Sequence, residues 1–427
     1  MRVFFKTFGC KANQYDTERI RQELEALGAR ASREEGNAQI CVVNTCTVTN
    51  QADADARRYI RRVQRENPGM RVVVAGCSSA LKPEVYEGME GVAGVVEGHD
   101  PLQVARATFR SAEDGPLSGL SGAPPLVQLR VRKALDRTDH EPLGGDLLNH
   151  RAGGTRGWLK IQDGCDRQCS FCATRLARGP SRSRSPEEIL REARLLGRTH
   201  PELVLTGIHI GHYGRDLTGS ASLARLVAEL LEGVPGVRFR LGSVEATEVD
   251  DPLLELLAAS GGALAPHLHM PLQSGADPVL RRMRRWHTRE MYRARALEIA
   301  ERLPVLGLGA DIITGFPGET DEDHARTRAL VEELPFTYLH VFPFSPRDDT
   351  VAAGLPDPVP QRVAGERSRD LRELAREKGN RYRARRSGDE ATVVLEGQGG
   401  RALTEDYLRV EALNPQPGSG GLSRGRL

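Results

Sequence analysis

Twice along the chain, short β-branched or apolar runs alternate with helical patterns, and no other feature restricts the fold as strongly. In the first array "VFFKTFG" (3–9), "QICVVNTC" (39–46), "RVVVAGC" (71–77) and "VAGVVEG" (92–98) have strand character. Helices fall between them. Ile20, Leu24 and Leu27 share a face of "DTERIRQELEAL" (16–27); Ala56, Tyr59, Ile60 and Val63 share a face of "ADADARRYIRRVQREN" (52–67), which Asn67-Pro68-Gly69 stops. Strands joined through helices pair in parallel and are covered on both faces, so residues 1–110 are expected to form a doubly wound α/β domain.

A Gly-, Ser- and Pro-rich linker follows over 111–154, with one strand-like piece, "PLVQLRVRKAL" (125–135). The second array occupies 155–365. Its candidate strands are "WLKIQDG" (158–164), "ELVLTGI" (202–208), "VRFRLGSVEA" (237–246), "HLHMPLQ" (267–273), "GLGADIITGFPG" (307–318) and "TYLHVFPFSP" (337–346). Helical patterns such as "SPEEILREARLLG" (185–197) and "SLARLVAELLEG" (222–233) separate them. Six strand–helix units predict a partial (β/α)6 barrel whose loops after the strands build a site. Residues 366–427 hold a basic helix, "ERSRDLRELAREKGNRYRARR" (366–386), then strands "EATVVLEG" (390–397) and "EDYLRVEAL" (405–413), and a tail, "NPQPGSGGLSRGRL", expected to be disordered.

Chemistry is concentrated in the cysteines. The chain has 7 in 427 residues, and Cys165, Cys169 and Cys172 crowd into the loop after the first barrel strand. The start, "MRVFFKTFGC", lacks an apolar signal run, and no stretch approaches the roughly 20 apolar residues that span a bilayer. A cytoplasmic address without membrane association is expected, where an odd, sparse cysteine set points to metal or catalysis and not to disulfides. Three thiolates at x3 and x2 spacing can wrap one face of a 4Fe-4S cube and leave the fourth iron open for a substrate. A zinc knot would want a fourth Cys or His, and His150 and His200 fit no compact spacing. Cys10, Cys46 and Cys77 end three strands of the first array, where the C-terminal edge of a parallel sheet collects ligands, so a second triplet is expected there. Cys41, inside a strand, reads as core packing.

Cys-x3-Cys-x2-Cys with Phe171 before the last cysteine, after the first strand of a β/α barrel, resembles the radical S-adenosylmethionine (SAM) superfamily. Together with "TFGCKANQYDTE", "VVNTCTVTNQADADAR" and "GCS", it resembles the methylthiotransferase family over nearly the whole chain: an N-terminal methylthiotransferase domain, a radical SAM core and a small C-terminal TRAM-like β segment, shortened at its end. "GCKANQYD", "NTCTVTN" and "TGIHIGHYG" (206–214) are most similar to the branch that methylthiolates C2 of N6-threonylcarbamoyladenosine at position 37 of tRNA. Branches acting on isopentenyladenosine or on a ribosomal-protein aspartate are the alternatives within the family. A noncatalytic iron-sulfur RNA-binding protein is the alternative outside it.

The resemblance implies two 4Fe-4S clusters and two SAM molecules. An auxiliary cluster on Cys10, Cys46 and Cys77 would present sulfur for methylation by one SAM, and a cluster on Cys165, Cys169 and Cys172 would cleave the other to a radical that takes hydrogen from C2. It further implies that Phe171 belongs to the cofactor-binding set, that Thr206 and Gly207 contact the methionine end of SAM, that Ser243, Glu245 and Gln273 approach that end or the ribose, and that "DIITGFPGET" abuts the adenine. A flavodoxin- or ferredoxin-like electron donor is implied as well. The net charge is only +2, so tRNA must be held by local patches: nine Arg or Lys against three Asp or Glu between Arg367 and Arg386, and "RRMRRWHTR" (281–289). The target nucleotide is expected to be splayed out of its loop.

Overall fold

The computed structural model describes residues 1–111, 147–397, 400–413 and 421–427. The strand-like piece at 125–135 and most of the expected linker lie outside them. By internal contacts the chain forms two compact units. One comprises Met1–Leu148, Asp163–Arg167 and Cys172–Arg182; the other comprises Asn149–Gln162, Gln168–Phe171 and Ser183–Leu427.

In the first unit, strands β1 (Arg2–Thr7), β2 (Arg30–Ala31), β3 (Ile40–Thr45), β4 (Arg71–Gly76) and β5 (Val92–Val95) form a wholly parallel sheet in the order β2-β1-β3-β4-β5. Alternation along the strands divides the apolar residues between two cores. Val42, Val73 and Ala75 pack with Ile20 and Leu24 of helix Lys11–Ala26 and with Val104 and Phe109 of helix Pro101–Ser111. Cys41, Val43, Val72 and Val74 pack on the other face with Tyr59, Ile60 and Val63 of helix Asn50–Glu66. Cys41 is thus a core residue, and burial pushes its thiol up to about 12.

The helix read from Asp16 begins at Lys11, directly after Cys10. Its first turns carry polar residues that hide the apolar stripe from a periodicity reading. They are nevertheless buried, because each finds partners: Asn13 Nδ2 donates to the carbonyls of Phe8 (3.0 Å) and Thr45 (2.8 Å), and Thr7 Oγ1 donates to Thr17 Oγ1 at 2.8 Å.

The second unit holds six parallel strands in chain order: β6 (Arg156–Lys160), β7 (Glu202–Thr206), β8 (Arg238–Leu241), β9 (His267–His269), β10 (Gly307–Thr314) and β11 (Tyr338–Pro343). Ladders β8-β7-β6 and β9-β10-β11 are joined by the parallel bridges Phe239↔Leu264 and Ser243↔His269, giving the expected partial barrel. Helix starts are capped as the sequence signals. Ser185 accepts from Glu188 N–H (3.2 Å) ahead of Pro186, Ser222 accepts from Arg225 N–H (3.2 Å), and Thr320 and Asp323 form a reciprocal capping box.

After helix Gln361–Arg386, strands β12 (Glu390–Leu395), β13 (Arg401–Thr404), β14 (Arg409–Glu411) and β15 (Leu422–Arg426) form an antiparallel sheet in the order β14-β13-β12-β15. Two expectations change here. The strand read over "EDYLRVEAL" is confined to Arg409–Glu411, and 405–408 turn the chain from β13 into β14, because Tyr407 holds φ 72° and Thr404 Oγ1 accepts from Leu408 N–H at 2.8 Å. The tail expected to be disordered supplies β15, whose order comes from pairing with β12 and not from its own apolarity.

This sheet is seated on the N-terminal ends of the barrel strands. Glu202, first residue of β7, is fully buried among Arg238 (2.6 Å), Arg240 (2.9 Å) and Arg156 (3.6 Å). Arg238 and Arg240 continue outward to the carbonyls of Thr392, Leu403, Thr404 and Glu405. Burial would raise the Glu202 carboxyl, but the guanidiniums of Arg240, Arg238 and Arg156 outweigh it and hold the carboxyl down at about 2.

Candidate functional site

Cys10, Cys46 and Cys77 lie at or just beyond the C-terminal ends of β1, β3 and β4, which are neighbours in the sheet, so the fold gathers three thiols from distant parts of the chain. Asn13 Oδ1 marks their meeting place, 3.8 Å from Cys10 Sγ and 3.7 Å from Cys77 Sγ. Cys46 Sγ accepts from Val48 N–H at 3.4 Å. Gly9 has φ +100°, and a Cβ there would strike Cys46 Cβ and Sγ at 2.6 Å, so bare backbone is needed where the first thiol's loop passes the second.

One buried cation serves this cluster. Arg178 ends the short helix Thr174–Arg178, and its side chain is 1% exposed. Nε reaches Cys77 Sγ (3.3 Å), Nη1 grips both Asp163 oxygens (2.9 and 3.0 Å), and Nη2 reaches Asn13 Oδ1 and Asp16 (2.7 Å each). His99 Nε2 is 3.4 Å from Cys77 Sγ. Burial opposes the Arg178 charge, yet Asp163, the Cys77 sulfur and Asp16 outweigh it and keep the guanidinium ionised. Burial also pushes the Cys46 thiol up to about 11 and raises Cys77, with the neighbouring sulfurs adding to each shift. Thiols held this way are protonated at neutral pH, and a metal centre that binds them must displace those protons.

The second triplet is held by its flanks. Cys165 N–H donates to the carbonyl of Gly179 at 2.9 Å. Cys169 Sγ accepts from Arg285 Nη1 at 3.6 Å, and Arg285 Nη2 donates to Glu245. Ser170 is pinned by the carbonyls of Met283 (3.0 Å) and Arg282 (2.8 Å). Phe171 packs edge-on against Phe316, centroids 6.4 Å apart, in a cluster with Ala276, Val279 and Met283.

Thr206 is buried at the end of β7, and Gly207 follows it beneath Gln162, whose Oε1 accepts from Ile208 (3.1 Å) and His209 (2.9 Å) N–H groups. Ser243 is exposed just after β8. Glu245 is buried, and burial raises its carboxyl against the opposing pull of Arg285. Gln273 holds φ 66° and exchanges backbone hydrogen bonds with β10 at Asp311 (2.8 Å) and Ile313 (3.0 Å). All five positions follow barrel strands.

Sequence reasoning did not single out Arg178, Asn13, Asp16, Asp163 or Arg285. Only Asn13 and Asp16 left a signal, as polar residues at the front of a helix that would otherwise be read as starting later. In the basic run 281–289, Arg282 bonds the Gly318 carbonyl, Arg285 the triplet, and Arg289 the carbonyls of Gly275 (3.1 Å) and Arg326 (2.6 Å), while Arg281 and Arg284 are exposed.

The donor chemistry can be tested against a single ion. Zn–S bonds near 2.3 Å place the sulfurs of a tetrahedral site about 3.8 Å apart. Among the described residues, the groups of His, Cys, Asp and Glu whose ligand atoms all fall within 4.8 Å of one another are His209–His212–Glu248 and His269–Asp311–His340. Cys10, Cys46 and Cys77 are not among those groups, although Asn13 Oδ1 lies beside both the Cys10 and Cys77 sulfurs. Three thiolates around a centre larger than one ion fit an iron-sulfur cluster.

A parallel half-barrel with three cysteines after its first strand is the architecture of the radical SAM superfamily, and the "Radical SAM superfamily" model matches residues 159–331. "Uncharacterized protein family UPF0004" matches residues 2–97. A cobalamin- and [4Fe-4S]-bound radical SAM methyltransferase, TsrM from Kitasatospora setae, superposes with TM-score 0.61 over 82% of this chain and 77% of its own, at 16% identity, a likeness of fold. The threonylcarbamoyladenosine tRNA methylthiotransferase MtaB of Bacillus subtilis is 38% identical over 397 residues, covering 92% of this chain and 84% of that one. The Thermotoga maritima protein of that name is 33% identical, covering 92% and 86%. The tRNA-2-methylthio-N(6)-dimethylallyladenosine synthase of Bacillus subtilis is 31% identical, covering 93% and 76%. This chain belongs to the MtaB-type tRNA methylthiotransferase family.

Proposed function

We propose that the protein methylthiolates C2 of N6-threonylcarbamoyladenosine at position 37 of tRNA, using SAM and two 4Fe-4S clusters. The observation that carries this reading is the placing of Cys10, Cys46 and Cys77 at the ends of three neighbouring strands, with Asn13 beside the Cys10 and Cys77 sulfurs and Arg178 on Cys77, in a chain with a separate radical SAM triplet. Identity to MtaB relatives exceeds that to the dimethylallyladenosine synthases, which favours the threonylcarbamoyl substrate.

Cys165, Cys169 and Cys172 hold one cluster and Cys10, Cys46 and Cys77 the other, each leaving one iron without a protein thiolate. The bound groups supply homolytic activation of a C–H bond that ordinary acid–base chemistry does not reach, and the sulfur to be inserted. The chain's own residues orient and shield. Arg178 places a positive charge on Cys77, where it favours the ligating thiolate, while Asp163 and Asp16 fix its direction. Arg285 does the same for Cys169, anchored by Glu245. Thr206, Gly207, Ser243, Glu245 and Gln273 are the positions for SAM. Electrons come from a flavodoxin- or ferredoxin-like protein, and the tRNA substrate of the relatives favours a cytoplasmic reaction.

The test is the nucleoside content of tRNA from cells with and without the gene. Loss of the 2-methylthio group from threonylcarbamoyladenosine alone is expected. Loss from isopentenyladenosine would move the protein to the other tRNA branch, and unchanged tRNA together with no 5′-deoxyadenosine from the reduced, reconstituted protein would leave it a noncatalytic iron-sulfur protein.

A further inference from the structure

Three side chains of the barrel unit meet outside both cysteine triplets. His209 and His212 stand in the loop after β7, where His209 precedes and His212 ends the 3-10 turn Ile210–His212, and Glu248 stands in the loop after β8. His209 and His212 are buried and Glu248 is half-buried, with side chains 7%, 6% and 4% exposed. Nε2 of His209 is 2.9 Å from both carboxylate oxygens, and Nε2 of His212 is 3.2 Å from Oε1. The two imidazoles lie face to face, centroids 3.9 Å apart at 23°.

Hydrogen bonding alone accounts poorly for this cluster. His212 Nε2, though 3.2 Å from the carboxylate, makes no hydrogen bond of acceptable geometry, and a buried polar atom left so is a cost to the fold. Gly211, between the histidines, has no room for a Cβ, which would meet the Glu248 side chain, so the loop backbone is pressed against the carboxylate. Ligand bonds of about 2.0–2.2 Å at tetrahedral to octahedral angles place neighbouring donor atoms about 2.8–3.4 Å apart. The observed nitrogen–oxygen distances of 2.9 and 3.2 Å fall in that range, and all three ligand atoms lie within 4.8 Å of one another.

We propose that His209, His212 and Glu248 bind one divalent transition-metal ion of the zinc type, which clamps the loop after β7 to the loop after β8. Two neutral imidazoles and a carboxylate are a donor set suited to such an ion and leave at least one position for water. The ion satisfies His212 Nε2 and neutralises the buried carboxylate with one group. This site is separate from the iron-sulfur chemistry and stands whatever substrate the enzyme uses.

The test uses the full-length, cluster-loaded protein, dialysed anaerobically against Zn2+ or Co2+ and compared with His212→Gln and Glu248→Gln. Zinc by mass spectrometry is expected at one per chain in the wild type, with affinity at least about 100-fold weaker in both variants, whose visible iron-sulfur absorption stays intact. Cobalt should give d–d bands without a sulfur-to-cobalt charge-transfer band, and zinc should raise the wild-type melting temperature only. Equal zinc uptake by wild type and His212→Gln, a thiolate band with cobalt, or no uptake at all overturns the proposal. Should Glu248→Gln lose its clusters, His212→Gln decides alone; should both, the cobalt spectrum and zinc-dependent melting of the wild type decide.

Discussion

Two residues beyond Arg285, His287 is 3% exposed with Nε2 3.3 Å from the carbonyl of Leu272, and burial, reinforced by the Arg285 charge, pushes its pKa down to about 4. An unfolded chain keeps histidine near 6.5. Between those values the unfolded state binds a proton that the folded state refuses, so this contribution is complete above about pH 6.5 and is lost as pH falls toward 4. From pH 7 to pH 5 it amounts to about 2 kcal/mol. Chemical unfolding at both pH values should show the wild type losing more stability than His287→Gln by about that amount; equal losses would mean that the ring is not held neutral. The cysteines announced themselves in the sequence because their rarity and spacing are themselves a signal. Arg178 could not, since it meets Cys77 from 101 positions away and stands in "TRLARG", a turn like many others. The same holds for Glu248, which the fold brings to His209 from 39 positions away.

At the scale of elements, strands were legible wherever β-branched runs carry their own burial, as in Arg71–Gly76. Legibility failed where order is lent by a partner: β15 reads "LSRGR" and exists through its ladder with β12, and the front of helix Lys11–Ala26 is polar because it lines the thiols. The Glu202 hub was invisible for a related reason, because its charges are spread over three strand starts and read singly as solvated. Glu202→Gln leaves buried Arg238 and Arg240 without their carboxylate, which should destabilise the unit by about 3–5 kcal/mol. Limited proteolysis should then cut between Arg386 and the end of the chain faster than in the wild type. Unaltered cleavage and unaltered stability would show that the hub does not seat the C-terminal sheet.

For the molecule as a whole, a net charge of +2 gives no long-range attraction to RNA, so contact must come from exposed local charge. Helix Gln361–Arg386 supplies it. Arg367 and Arg386 are consumed internally by Glu319 and Asp321, and by Asp389, Glu405 and Asp406. Arg369, Arg376, Arg383 and Arg385 are exposed and, among the described residues, form no ion pair. If they line the tRNA, replacing all four with Ala should lower the slope of log affinity against log salt by about 3. An unchanged slope in filter-binding titrations would place the RNA elsewhere. Arg238 and Arg240 grasp the C-terminal sheet by four main-chain oxygens, at Thr392, Leu403, Thr404 and Glu405. Such a grip is indifferent to the side chains carried at those positions, so substitutions can accumulate there without the sheet working loose from the barrel.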